Sequence, residues 1–190
     1  MKIAALIVLA GAAVANADVF SGAGFSIPDN NAGGASSSVN VAGVGNGITG
    51  ITVTLHGFSH TWLGDVTATL SGPAGSFVLF DRPGNPASVN GNSNDTSGDY
   101  LFTDAAPGVF STSGAVPAGS YRTSSDDVAP TSLMGFFGGT SADGMWTLTM
   151  TDSAGLDVGG ITGWSLDVVP TPGAAAMLGL GGLAALRRRR

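Results

Sequence analysis

Four short segments of this chain alternate apolar and polar residues with a period of two. Ile51, Val53 and Leu55 interleave with Thr52, Thr54 and His56, and Val66, Ala68 and Leu70 with Thr67 and Thr69. Trp146, Leu148 and Met150 interleave with Thr147, Thr149 and Thr151, and Trp164, Leu166 and Val168 with Ser165 and Asp167. A strand sends successive side chains to opposite faces, so each segment has one dry face and one wet one, and Trp146 and Trp164 point inward. Strands with one dry face need a second layer to cover it. The run Phe77 to Phe80 is apolar throughout between two turn segments, SGPAGS and DRPGNP, and reads as a strand covered on both sides. Composition agrees: 31 glycines, and aspartate with no glutamate, favour turns and strands over helix. From Ser88 to Asp104 and from Pro107 to Pro130 the chain is polar and weakly patterned, which predicts long loops with short edge strands. The expected fold is all-β, a jelly-roll β-sandwich or barrel of about eight strands.

The two ends read differently. Residues 1–17 carry one Lys, an apolar run from Ile3 to about Val14 and the small-residue site Ala15-Asn16-Ala17, the pattern of a secretory signal peptide forming an N-terminal helix. Signal peptidase is the expected processing partner, and the body spans residues 18–168. Residues 169–190 begin with the spacer Val169-Pro170-Thr171-Pro172, continue with an apolar segment from Gly173 to Leu186, and end on Arg187, Arg188, Arg189 and Arg190. As a C-terminal helix that apolar segment is roughly 21 Å long, a short anchor, with the arginines held on the cytoplasmic side. These three parts in this order resemble the PEP-CTERM sorting signal, with Pro-Thr-Pro where that family usually has Pro-Glu-Pro. The resemblance implies an exosortase-like sorting enzyme as a partner. It also implies export across the inner membrane, transient anchoring, and arrival at the cell surface or extracellular matrix.

The body holds all 13 acidic residues, every one Asp, against only Arg82 and Arg122, a formal charge of −11. Such a surface repels phosphate backbones, which excludes nucleic acid as a partner. With 0 Cys there is neither a disulfide framework nor thiol chemistry.

The segment HTWLGD, His60 to Asp65, poses the question of catalysis, because an imidazole and a carboxylate could be two parts of a hydrolytic triad whose nucleophile would be Ser141 in GTSA. Ser141 is followed by the turn Ala142-Asp143-Gly144 and then by a strand, which leaves no room for the helix such a serine begins. No GxSxG elbow, phosphate loop or distinctive carboxylate pair is present, so no catalytic residue is expected. His56 and His60 are too few and too differently placed for zinc. Calcium is the metal the chain could take: Asp95, Asp99 and Asp104 are close in sequence, and Asp152 and Asp157 share one hairpin loop.

From Ile48 to Leu79 the chain resembles the P domain, or Homo B domain, of kexin-like and furin-like subtilisin-fold proteases. The resemblance continues through Asn94-Asp95-Thr96, Phe102-Thr103-Asp104, Gly119-Ser120-Tyr121 and Leu133 to Gly139, and closes on Asp143 to Leu148, Asp152 and Gly160 to Leu166. It implies an eight-stranded jelly roll in which HTWLGD turns a corner. Thr54 to Phe58 then ends one strand and Asp65 begins the next, Trp62 packs at the rim, Gly64 permits a tight step, and Asp65 accepts backbone N–H bonds. The expected function is that of a non-catalytic surface or matrix module making protein or glycan contacts. One rival is a protease-associated domain acting on a separate subtilisin-like endopeptidase. Another is a carbohydrate-binding jelly roll that stacks sugars on Trp62, Tyr100 or Tyr121.

Overall fold

The computed structural model describes residues 17–85, 90–125 and 129–171. The signal segment before residue 17, Pro172, the apolar tail and Arg187 to Arg190 lie outside them. Among the described residues eleven strands run in chain order: β1 (Asp18–Ile27), β2 (Asn31–Val41), β3 (Ile48–His60), β4 (Val66–Gly72), β5 (Gly75–Asp81), β6 (Thr96–Phe102), β7 (Gly119–Tyr121), β8 (Ser124–Ser125), β9 (Ala129–Pro130), β10 (Gly144–Asp152) and β11 (Gly159–Pro170). A 3-10 turn (Leu63–Asp65) links β3 to β4, and one short helix, α1 (Leu133–Phe137), precedes β10.

Two open sheets form a β-sandwich. The first has the order β1-β11-β3-β6-β7 and the second β2-β10-β4-β5, while β8 and β9 make a small separate ladder. The alternation sets the inner faces. Val53, Leu55, Trp164, Leu166 and Val168 from the first sheet, and Ala68, Leu70, Trp146, Leu148 and Met150 from the second, are completely buried in one core. The interleaved threonines face out, with Thr149 opposite Thr69 and Thr147 opposite Ser71 across the second sheet. First and last strands pair with Asp18 opposite Val168 and Ile27 opposite Gly159.

Two irregularities change where side chains point. In β3 the register against β6 shifts between Leu55 and Phe58, so His56 and Gly57 together oppose a single residue. Gly57 takes φ +56°, and the Asp99 carboxylate accepts its N–H at 2.7 Å. This bulge keeps both Leu55 and Phe58 inward although they are an odd number of residues apart. A second shift between Ala68 and Thr69 skips one residue of β5, and Leu79 and Phe80 are consequently both buried. Phe80 then packs with Phe102, Phe110 and Phe58, ring centroids 4.9 to 6.0 Å apart.

The structure corrects four local expectations. The segment from Ser88 to Asp104 is not mainly loop, since β6 is a seven-residue strand inside the first sheet. Strand β3 continues through Phe58 to His60, and Asp65 closes the 3-10 turn while Val66 begins β4. Tyr100 is fully buried and its hydroxyl donates to the Val116 carbonyl at 2.8 Å, so it offers no stacking surface. The tail spacer is partly folded in: Val169 and Pro170 belong to β11, and the Thr171 N–H donates to the Gly47 carbonyl at 2.7 Å.

Candidate functional site

His60 ends β3 with its side chain turned inward, where burial demands a partner for each ring nitrogen. Nε2 lies 3.2 Å from Asp152 Oδ2, both side chains being wholly enclosed, and Nδ1 lies 2.8 Å from the Trp62 carbonyl oxygen. Asp152 ends β10 and also accepts the Ala154 N–H at 3.0 Å. The pair therefore ties the corner after β3 to the loop after β10. Gly64 occupies the crowded point of the corner, because a Cβ there would stand 2.5 Å from the Asn92 nitrogen and 2.6 Å from the Gly91 Cα. Close backbone approach is what requires glycine at this position.

Asp65 differs from the expectation. Among the described residues nothing donates a hydrogen bond to its carboxylate, which is 4 % exposed and has only the Arg82 Nη2 at 4.0 Å. Burial raises its pKa above the ordinary value, repulsion from Asp152 and Asp157 adds to that, and Arg82 and His60 oppose it. This carboxylate lines a cavity of about 290 Å³ together with Trp62, Arg82, Asn90, Leu156 and Asp157. Trp62 is half-buried, with its indole N–H donating to the Asn90 carbonyl. Arg82 donates Nε–H to the Gly64 carbonyl at 3.1 Å. Asp157 accepts the Thr61 hydroxyl at 2.8 Å through one oxygen. The turn between β1 and β2 steadies the far wall, where Asp29 accepts the Leu156 N–H at 3.1 Å. Two residues of the wall hold left-handed backbone unusual for their type, Arg82 at φ +38° and Leu156 at φ +87°, and Leu156 is 96 % exposed. Strain of this kind concentrates at binding sites, where the surroundings hold it in place.

The remaining predicted site residues are dispersed. Asp95 is exposed, and Asp99 serves the bulge at Gly57 beside His56. Asp104 accepts the Ser132 hydroxyl at 2.6 Å and the Leu133 and Met134 N–H groups, capping α1. Among the described residues no three His, Cys, Asp or Glu side chains come together to hold a metal ion. Several of these carboxylates serve local backbone or side-chain donors. Tyr121 is half-buried against Tyr100, its hydroxyl donating to the Pro117 carbonyl. Of the three aromatic residues named as stacking surfaces, Trp62 alone lines the cavity.

The triad is excluded by distance. Ser141 precedes β10, whereas Asp152, the partner of His60, ends it, and nine residues of strand separate these ends by roughly 27 Å. Fold and site together define a β-sandwich module of two open sheets. The match to the proprotein convertase P-domain family covers residues 48–168, and the chain belongs to that family. No curated protein matches it. Among solved structures it is similar to a serine protease of Aeromonas sobria in complex with the chaperone ORF2, with 16 % identity and a TM-score of 0.44 over 82 % of this chain. It is similar also to the Aeromonas sobria serine protease alone, with 15 % identity and a TM-score of 0.42 over 83 %. The chain spans 27 % and 28 % of the length of these two proteins.

The sequence singles out Trp62 and Asp65 as corner residues and Asp157 as a candidate calcium ligand, and Arg82, Asn90 and Leu156, which line the same cavity, were not among the expected site residues. Two signals pointed there: Arg82 is one of only two basic residues in the body, and Leu156 is an apolar residue inside the polar loop DSAGLDVGG.

Proposed function

We propose that this chain is an exported P-domain module that makes non-catalytic contacts with a protein or glycan at the bacterial cell surface or matrix, and that the corner cavity is its contact site. The observation that carries this reading is Asp65, a carboxylate only 4 % exposed that lines an open cavity and accepts no hydrogen bond among the described residues. Burial already disfavours the charged form of this carboxylate, and a bound partner's donors would stabilise it. Leu156, which lines the cavity, is 96 % exposed, and Val158 two residues further along the chain is 65 % exposed. Sorting by an exosortase-like enzyme, argued from the tail, would place the module on the envelope. Family membership favours a second reading, in which the partner is a separate subtilisin-like protease that the module stabilises.

The test is site-specific photo-crosslinking of the full chain in the native envelope. A photoreactive residue at position 156 is expected to give a discrete adduct that Val158→Asp abolishes, with none from a probe at exposed Met145 on the outer face of β10. Equal labelling from both positions, or none from position 156, refutes the contact site. Identification of the adduct as a protease supports the second reading over the first.

A further inference from the structure

The groups around the corner cavity make contrasting demands on an occupant. Among the described residues no group donates a hydrogen bond to the Asp65 carboxylate, and Asp157 has committed one oxygen to Thr61, so both carboxylates suit an occupant that brings hydrogen-bond donors. Arg82 makes one hydrogen bond through Nε, and its Nη2 stands 4.0 Å from Asp65, so the occupant must also accept. An ammonium or guanidinium group would be drawn by the two aspartates but donates only, and it offers Arg82 no acceptor. A carboxylate accepts only and would be repelled by two aspartates and by a body of formal charge −11. Hydroxyl groups both donate and accept, and several of them on one carbon skeleton meet both demands together. The Trp62 ring supplies an apolar wall, which suits a skeleton with an exposed C–H face. At about 290 Å³ the cavity is at the lower end of small-ligand sites and has room for one ring.

We infer that the corner pocket binds a neutral pyranose unit, laid against Trp62, with its hydroxyls donating to Asp65 and Asp157 and accepting from Arg82. The inference rests on the contact-module reading and names its ligand as a glycan. Charge disfavours polymers of uronic acid, and the exposed Leu156 and Val158 would border a neighbouring ring of a longer chain. The glycine-floored hollow beside Gly24, Gly57 and Gly160 lacks this combination, since no charged side chain lines it.

The experiment is calorimetric and fluorescence titration of the full chain with methyl glucoside, mannoside and galactoside, with methyl glucuronide and N-acetyl-lysine methylamide alongside. Trp146 and Trp164 are completely buried, so a fluorescence change reports Trp62. Saturable binding of at least one neutral pyranoside is expected, with a Kd on the order of 1 mM for a single ring. Affinity is expected to fall at least tenfold in Trp62→Ala and in Asp157→Ala, and to be unaltered in Met145→Ala. Asp157 is half-buried, so its variant tests the site even where Trp62→Ala does not fold. No response to any neutral pyranoside, an undiminished response in Asp157→Ala, or binding of the lysine amide in their place overturns the inference. If the sugars fail while the position-156 crosslink persists, the glycan falls and the contact site stands. If both fail, both readings fall.

Discussion

Replacing His60 by Ala gives the most direct measure of what holds the corner. The imidazole and the Asp152 carboxylate are 3.2 Å apart and neither side chain is exposed. Removing the ring leaves the Asp152 carboxyl in the interior with the Ala154 N–H as its one hydrogen-bond donor among the described residues, and it also opens a cavity. Removing one member of a buried pair typically costs about 3–5 kcal/mol. At ~2–4 °C per kcal/mol for a domain near this size, Tm should fall by roughly 6–20 °C. Because small domains are stable by only about 5–15 kcal/mol, the loss should be plain in urea denaturation followed by Trp fluorescence. In the double variant His60→Ala/Asp152→Asn a neutral amide replaces the carboxyl that has lost its partner, and it should recover about 1 kcal/mol of the single variant's loss, the coupling expected of contacting residues. A single variant that loses less than about 1 kcal/mol, or a double variant less stable than His60→Ala, would refute the argument that this pair fastens the corner.

Three further outcomes follow from the same contacts. Gly64→Ala forces a Cβ against the Gly91–Asn92 backbone and should cost about 1–3 kcal/mol by urea melt, with an unchanged midpoint contradicting the close approach. The raised pKa of Asp65 means that its charged form costs stability, an effect absent below the unfolded pKa and complete once pH exceeds the folded one. Asp65→Asn should therefore be more stable than the parent at neutral pH, the difference closing under acid, and yet bind the pyranoside more weakly; equal or lower stability at pH 7 denies the strain. Asp104 behaves oppositely: burial pushes its pKa up, but the Ser132, Met134 and Leu133 donors and Arg122 outweigh that and hold it low. Its stabilisation is present above the ordinary Asp range and lost as pH falls through the depressed value. Asp104→Asn should cost about 1–2 kcal/mol at pH 7 and flatten the acid limb of the stability profile, which a pH series of thermal melts checks.

The core strands were legible because their alternation is strict and their dry faces carry the largest side chains, as at Trp146 and Trp164. Strands β1 and β2 were not, because DVFSGAGFSI and NAGGASSSVNV are rich in glycine and small polar residues and mix exposed with half-buried positions. Their place is set by pairing along β11 and β10, a tertiary cause that no local pattern carries. The bulge at His56–Gly57 broke the period between Leu55 and Phe58, which made β3 look shorter than it is. The role of His60 as a corner residue was readable from its motif, whereas its partner Asp152 was visible only as one of two carboxylates on a hairpin loop. The cavity draws on the turn after β3, the turn after β5, Asn90 and the loop after β10. Such convergence is invisible until the sheets are folded.

The pairing of Asp18 with Val168 fixes how the module can be displayed. Both ends of the domain leave from one pole of the first sheet, while Ile27, Gly159 and His60 meet at the other, roughly 30 Å away. The Trp62 hollow therefore sits at the end of the sandwich opposite both termini of the domain, and a tether attached at either one would hold it at the distal tip.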